Sequence, residues 1–146
     1  MKTKIVIGAV AAAAVVATAA AAVPAAKDWY ESRHDQSSRY ATGAEAKADR
    51  ASVPRWLPDE AADVRYAMKT TGGERLLRAT LADGKLPSGC EPLSGGASKR
   101  PALSASWFPN DASARARCGL YYAVTDGSTL YAWQDNEDWV ADNKSR

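Results

Sequence analysis

Histidine and cysteine are scarce in this 146-residue chain, which contains one histidine and two cysteines. A single histidine, His34, leaves too few partners for a histidine-based catalytic triad or a multi-histidine metal site. The glycine pairs at 72–73 and 95–96 lack the lysine and the spacing of a phosphate-binding loop. The sequence therefore predicts no catalytic, cofactor-binding or metal-ligating residues, and we expect a non-enzymatic protein without a cofactor.

Net charge is equally scarce outside the N-terminus. The chain has 19 basic and 17 acidic residues, and Lys2 and Lys4 account for the whole formal charge of +2. Domains that bind nucleic acid usually carry a strong basic excess, because they neutralise phosphates. We therefore expect no nucleic-acid partner.

An uncharged apolar run extends from Ile5 to Ala26, directly after Lys2 and Lys4. Basic residues followed by such a run are typical of a signal peptide or a signal anchor. About 22 residues can cross roughly 30 Å of hydrocarbon, which favours an anchor, but the run is mostly alanine and ends in small residues that permit cleavage. We expect residues 1–26 to anchor the chain in the cell membrane with the C-terminal domain outside; secretion after cleavage is the alternative.

The two cysteines are Cys90 and Cys118. In an oxidising compartment, an even pair of cysteines in a small domain predicts a disulfide, whereas a redox-active pair usually has close spacing. The sequence therefore predicts a structural bridge between these two residues.

Residues 27–53 contain few large apolar side chains and are predicted to form a polar, helical stalk. Within it, Thr42 and Glu45 fit the capping box that begins a short helix, predicted over 44–51. Residues 54–146 are predicted to form a small disulfide-bonded, β-rich extracytoplasmic domain.

Two stretches of this domain alternate apolar and polar residues around a glycine-containing turn, which indicates β-hairpins. The first hairpin is predicted over 64–69 and 77–81, around Gly72 and Gly73. The second is predicted over 118–125 and 129–134, around Gly127, with the side chains of 118, 120, 122 and 124 on one face. A short helix over 136–141, capped by Asn136, ends the chain. The predicted fold class is α+β, mainly β: a small antiparallel sheet of two hairpins with an N-terminal membrane or signal helix and a short stalk helix.

The two halves of the domain share a hexamer, Trp-Leu-Pro-Asp-Glu-Ala at 56–61 and Trp-Phe-Pro-Asn-Asp-Ala at 107–112. Each hexamer precedes a hairpin, and one hairpin cannot bury its apolar face alone. The pattern indicates a pseudo-repeat whose two hairpins share one sheet; coincidence between two ordinary Trp-x-Pro turns is the alternative.

Basic residues flank an aromatic pair in the second half of the domain. This local cluster could contact anionic lipid headgroups or wall polymers, although a solvated face is the ordinary interpretation of such a cluster. Tryptophan rings could also serve as platforms for sugars. The possible binding surface comprises Lys99, Arg100, Trp107, Arg115 and Arg117.

Three stretches of the sequence resemble short exported proteins of high-GC actinobacteria that have one N-terminal span: 49–58 (DRASVPRWLP), 66–73 (YAMKTTGG) and 130–135 (LYAWQD). The resemblance implies an envelope location and a membrane anchor, and it supplies no catalytic residues. We expect a non-enzymatic, membrane-anchored module that binds an envelope protein or wall polymer. The alternatives are a secreted carbohydrate-binding module and a small envelope hydrolase or its inhibitor.

Overall fold

The computed structural model describes residues 35–93 and 98–146, which form one antiparallel sheet of seven strands and two short helices. The predicted anchor or signal at 1–26 lies outside the described residues. Within 35–93 and 98–146, no helix is long and apolar enough to cross a membrane. The elements are β1 (Asp35–Thr42), α1 (Gly43–Asp49), β2 (Ala62–Lys69), β3 (Arg75–Thr80), β4 (Cys90–Pro92), β5 (Ala116–Cys118), β6 (Tyr121–Asp126), β7 (Thr129–Gln134) and α2 (Asn136–Lys144).

The strand order in the sheet is β1-β2-β3-β7-β6-β5-β4, and every neighbouring pair is antiparallel. The two predicted hairpins, β2-β3 and β6-β7, occupy the middle of this sheet and join through β3 and β7. The predicted class, α+β and mainly β, is therefore confirmed for the described residues. β1 extends the sheet on one side, and β5 with β4 extends it on the other.

The central strands are buried on both faces because their apolar side chains alternate between two cores. Leu77 and Leu130 point to one face, which we call face A, and Leu76 and Trp133 point to the opposite face, which we call face B. All four side chains are fully buried. Strands covered on both faces have nearly continuous apolar sequences, as β7 (TLYAWQ) does.

A different irregular segment covers each face. Face A is covered by residues 43–61, from which Ala46, Val53 and Leu57 enter the core. Face B is covered by residues 103–114, from which Phe108 is buried against Trp133. The domain is therefore a single sheet between two loop-rich layers.

The predicted stalk is wrong for residues 35–53, because β1 pairs with β2 and α1 packs onto face A. β1 is polar because it is an edge strand, whose outer side faces solvent. The predicted cap is confirmed: Thr42 Oγ1 accepts a hydrogen bond from Glu45 N at 3.2 Å, and Glu45 reaches back to Ala41 N. Residues 27–34 lie outside the described part of the chain.

The continuous strand predicted from 118 to 125 is also wrong, because a tight turn at Gly119 divides it into β5 and β6. Gly119 has a φ of +60°, a conformation that glycine adopts without steric cost. The turn changes the alternation, so Cys118 and Tyr121 join face A while Tyr122 joins face B. The predicted shared face of 118, 120, 122 and 124 is thereby replaced by two faces.

The predicted disulfide between Cys90 and Cys118 is confirmed. The two residues lie directly opposite each other in the β4-β5 ladder. Because β4 is a three-residue edge strand, the bridge ties this short strand covalently to the sheet.

The repeated hexamers form the same turn, but on opposite faces of the sheet. Leu57 N donates to Pro54 O at 3.2 Å, and Phe108 N donates to Ala105 O at 3.1 Å. Leu57 packs into face A and Phe108 into face B. If a two-fold axis perpendicular to the sheet related the two halves, both hexamers would lie on the same face. They lie on opposite faces, so the similarity between the halves is confined to the local turn and to the hairpins.

The C-terminal helix α2 is capped by Asp135, not by Asn136 as predicted. Asp135 accepts hydrogen bonds from Glu137 N and Asp138 N, whereas Asn136 Oδ1 accepts one from Gly73 N at 2.8 Å. Gly73 O in turn accepts from Gln134 Nε2 at 2.6 Å. These bonds fix the first hairpin turn against the start of α2.

Candidate functional site

Two of the four basic residues of the predicted binding surface are neutralised by carboxylates at the start of α2. Lys99 Nζ donates to Asp138 at 3.0 Å, to Asp135 at 3.1 Å and to Glu137 at 3.3 Å. Arg117 donates to Asp138 at 3.2 Å. Its guanidinium also lies 4.1 Å from the ring centroid of Tyr122.

The other three residues of that surface differ in their exposure to solvent. Arg100 and Arg115 are exposed. Trp107 is half-buried and packs edge-on against Phe108, with ring centroids 6.1 Å apart. Binding at this surface stays a prediction, and its positive charge is smaller than the sequence alone indicated.

The carboxylates around Lys99 perturb its titration. Hydrogen bonds to Asp138 and Asp135 raise the pKa of Lys99 far above its ordinary value. Partial burial alone would raise the pKa of Asp135, but the hydrogen bond from Lys99 and the two backbone N–H groups lower it below its ordinary 3.8. The cluster therefore favours both charged forms, as a structural ion-pair network does.

We expect Lys99→Met to weaken the acid dependence of stability. A carboxyl whose folded-state pKa is lowered stabilises the fold above its unfolded pKa, and this stabilisation is lost as pH falls through the folded value. For Asp135 the loss occurs below about its ordinary pKa of 3.8. Urea midpoints measured from neutral pH to pH 2 should fall less in Lys99→Met than in Lys85→Met, the exposed control; parallel curves would contradict this assignment.

A groove of about 670 Å³ opens between the first hexamer turn and the loop that follows β3. Residues 55–61 form one wall and residues 81–88 form the other. None of the residues of the predicted binding surface lines this groove. The residues that line it include Trp56, Pro58, Glu60, Lys85, Leu86 and Pro87.

The apolar part of the groove is built around Trp56. Its half-buried ring packs edge-on against Tyr121, with centroids 5.6 Å apart. Gly89 lies behind it, where an added Cβ would come within 3.1 Å of Trp56 Cβ. Leu86, 38% exposed, stands on the opposite wall and is one of two exposed large apolar side chains in the described ranges.

Much of the charge near Trp56 has a structural role. Lys47 pairs with Asp59 at 2.5 Å. Arg55 donates to the carbonyl oxygens of Lys47 at 3.1 Å, in the last turn of α1, and of Arg50 at 2.9 Å, at its C-cap. Such carbonyls need donors, because the last turn of a helix leaves them without intrahelical partners.

Two charged side chains on the rim have no such role in the described structure. Neither Glu60 nor Lys85 has an ion-pair partner within residues 35–93 and 98–146. Asp83 lines the same groove and accepts a hydrogen bond from Lys85 N at 3.0 Å. The rim can therefore offer both an acceptor and a donor to a neutral polar ligand.

Neither a metal site nor the buried Tyr121 hydroxyl supports catalysis within the described residues. They include no group of three histidine, cysteine, aspartate or glutamate residues placed to hold a metal ion. The Tyr121 hydroxyl is buried without a hydrogen-bond partner in this part of the chain, and burial raises its pKa. A phenol with a raised pKa is a poorer base and nucleophile at neutral pH.

Comparison of the chain with protein-family models, with curated proteins and with solved structures found no match. The function proposed below therefore rests on the chemistry of the groove.

Two short sequence patterns, Trp56-x-Pro58 and Leu86-Pro87, were the available signals of the groove. A proline near a large apolar residue restrains that residue close to a turn.

Proposed function

We propose that this protein is a non-enzymatic binding module of the cell envelope, which holds a carbohydrate segment of a wall polymer in the groove beside Trp56. The observation that carries the proposal is a half-exposed indole in a groove with a mixed polar rim. An aromatic face offers an apolar surface to a sugar ring, while nearby carboxylates and amines satisfy its hydroxyls. The groove volume, about 670 Å³, suits a ligand of one or a few rings.

The charges of the groove favour a neutral polar ligand over an ionic one. Glu60 and Asp83 provide acceptors, and Lys85 provides a donor. Lys47 and Asp59 neutralise each other. A strongly charged ligand would leave one sign of this rim unpaired, whereas sugar hydroxyls can donate and accept.

An extracytoplasmic location is part of the same proposal. Residues 1–26, with the apolar run at 5–26, would anchor the domain in the cell membrane, with secretion after cleavage as the alternative. The disulfide supports export, since such bonds persist chiefly in oxidising compartments. Residues 35–146 would then stand outside the membrane, where wall polymers are accessible.

Calorimetric titration of the exported protein with purified wall polysaccharide tests the proposal. Trp56→Ala should weaken binding at least tenfold, since a central aromatic anchor contributes more than about 1.4 kcal/mol. Trp139→Ala is the matched control, because Trp139 is 36% exposed and lies outside the groove. Equal binding by both variants and the unmodified protein would contradict the proposal that the polysaccharide binds in this groove. Release of new reducing ends from the polysaccharide would contradict a non-enzymatic role.

A further inference from the structure

Three arginines lie directly opposite one another on neighbouring strands. In the β1-β2 ladder Arg39 is the partner of Arg65, and in the β2-β3 ladder Arg65 is the partner of Arg78. Directly opposed residues project from the same side of a sheet. Arg65 lies two residues before Ala67 and Arg78 lies two residues after Leu76, and both of these apolar residues pack into face B. The three side chains, here called the arginine row, therefore project from face B.

The arginine row is an unfavourable arrangement in the absence of an anion. Neighbouring strands are about 4.8 Å apart, so the Cα atoms of the three arginines span roughly 10 Å. Like charges placed directly opposite each other destabilise a sheet. Three arginines in register therefore need compensating groups of opposite charge.

Carboxylates balance only one end of the row. Asp63 lies 3.3 Å from Arg39, and both side chains are largely exposed. Within the described ranges, no carboxylate lies within 4.0 Å of Arg65 or Arg78. Asp35 and Lys69 form another pair of opposite charges in the β1-β2 ladder. They lie at the other end of these two strands, away from the arginine row.

The middle of the row has an unused hydrogen-bond donor. Arg65 is half-buried, and its Nε is buried with no partner in the described structure. Arg78 is also half-buried, with its guanidinium 6.0 Å from the ring centroid of Tyr131. A buried donor without a partner costs free energy that a bound acceptor would recover.

We propose that the arginine row is an oxyanion site that binds phosphate groups of an anionic envelope component. A guanidinium presents two parallel N–H donors that match two oxygens of one phosphate. A row of about 10 Å can engage neighbouring phosphate groups along one chain or in one lipid surface. The site lies on face B, so it does not depend on the groove beside face A.

Titration of the full-length protein with inorganic tripolyphosphate provides the test. We expect Arg65→Gln and Arg78→Gln each to weaken binding about tenfold and to reduce its salt dependence, since a hydrogen bond to a charged group is lost. Arg146→Gln, an exposed arginine outside the row, is the matched control. An equal loss in Arg146→Gln, or no measurable binding by the unmodified protein, would overturn the proposal.

Thermal unfolding without a ligand supplies a second readout. Arg65→Gln should raise the melting temperature, because it removes the middle of three like charges, and tripolyphosphate should no longer raise it further. A lower melting temperature in Arg65→Gln together with an unchanged response to tripolyphosphate would show a purely structural arginine.

Vesicles distinguish the source of the phosphate. Binding to phosphatidylglycerol vesicles, but not phosphatidylcholine vesicles, that is lost in Arg78→Gln would identify a lipid headgroup. Binding to tripolyphosphate alone would identify a soluble or polymeric phosphate. Trp56→Ala should leave both arms unchanged, so failure of this site is distinguishable from failure of the sugar groove.

Discussion

Removing the disulfide by replacing Cys90 and Cys118 together with alanine should lower the free energy of unfolding by about 3.5 kcal/mol. The bridge joins residues 28 apart in sequence, and the chain-entropy model gives a closed loop of this length roughly that contribution. The loss is a large fraction of the stability of a small domain, typically 5–15 kcal/mol.

The consequence should be strongest at β4. This strand has three residues, and its strand neighbour in the sheet is β5. Without the bridge, only the three residue pairs of the β4-β5 ladder would keep β4 in the sheet. The amides of residues 90 and 91 should therefore exchange before those of β3 and β7, whereas Pro92 has no N–H to exchange.

Urea unfolding of the unmodified protein, oxidised and reduced, is the measurement. The reduced protein is the matched control, because it keeps both sulfurs, and it should lose nearly as much stability as the double variant. Equal midpoints for the oxidised and reduced forms would contradict a stabilising bridge.

Trp133→Ala should be comparably destabilising, by about 3–5 kcal/mol, the usual range for a buried aromatic residue replaced by alanine. Trp133 is fully buried at the centre of face B. Its ring is stacked on Tyr122 and edge-on to Phe108, with both centroids 6.0 Å away. Its Nε1–H also donates to Lys99 O at 2.8 Å, so the substitution leaves a cavity and an unpaired carbonyl.

Trp139→Ala is the control for Trp133→Ala, because Trp139 is exposed on α2. We expect it to cost far less, within the range of ordinary surface substitutions. Fluorescence-monitored unfolding in urea gives both values. Similar losses in the two variants would contradict the assignment of Trp133 to the core.

The hairpins were predictable because their sequences alternate and their turns contain glycine. Tyr66 and Leu77 carry the period-two pattern, and Gly127 has the positive φ expected of a two-residue turn. β1 was not predictable in this way, because an edge strand needs no apolar alternation on its exposed side. The division between β5 and β6 was missed because one glycine, Gly119, interrupts an otherwise alternating run.

The disulfide could be predicted because only one pairing exists for two cysteines. The groove and the arginine row could not be predicted, because both depend on how distant parts of the chain are placed together. Arg39, Arg65 and Arg78 are far apart in sequence, and only strand pairing brings them together. The groove likewise needs the loop at 81–88, whose sequence carries no regular pattern, to stand opposite Trp56.

The central claim, that the groove beside Trp56 binds a wall carbohydrate, is tested most directly by NMR of the indole N–H groups during titration with purified wall polysaccharide. The resonance of Trp56 should shift with saturation, whereas those of Trp133, buried in face B, and Trp139, on α2, should stay in place. A titration that moves no indole resonance, or that moves Trp107 and leaves Trp56 unchanged, would contradict the proposed site.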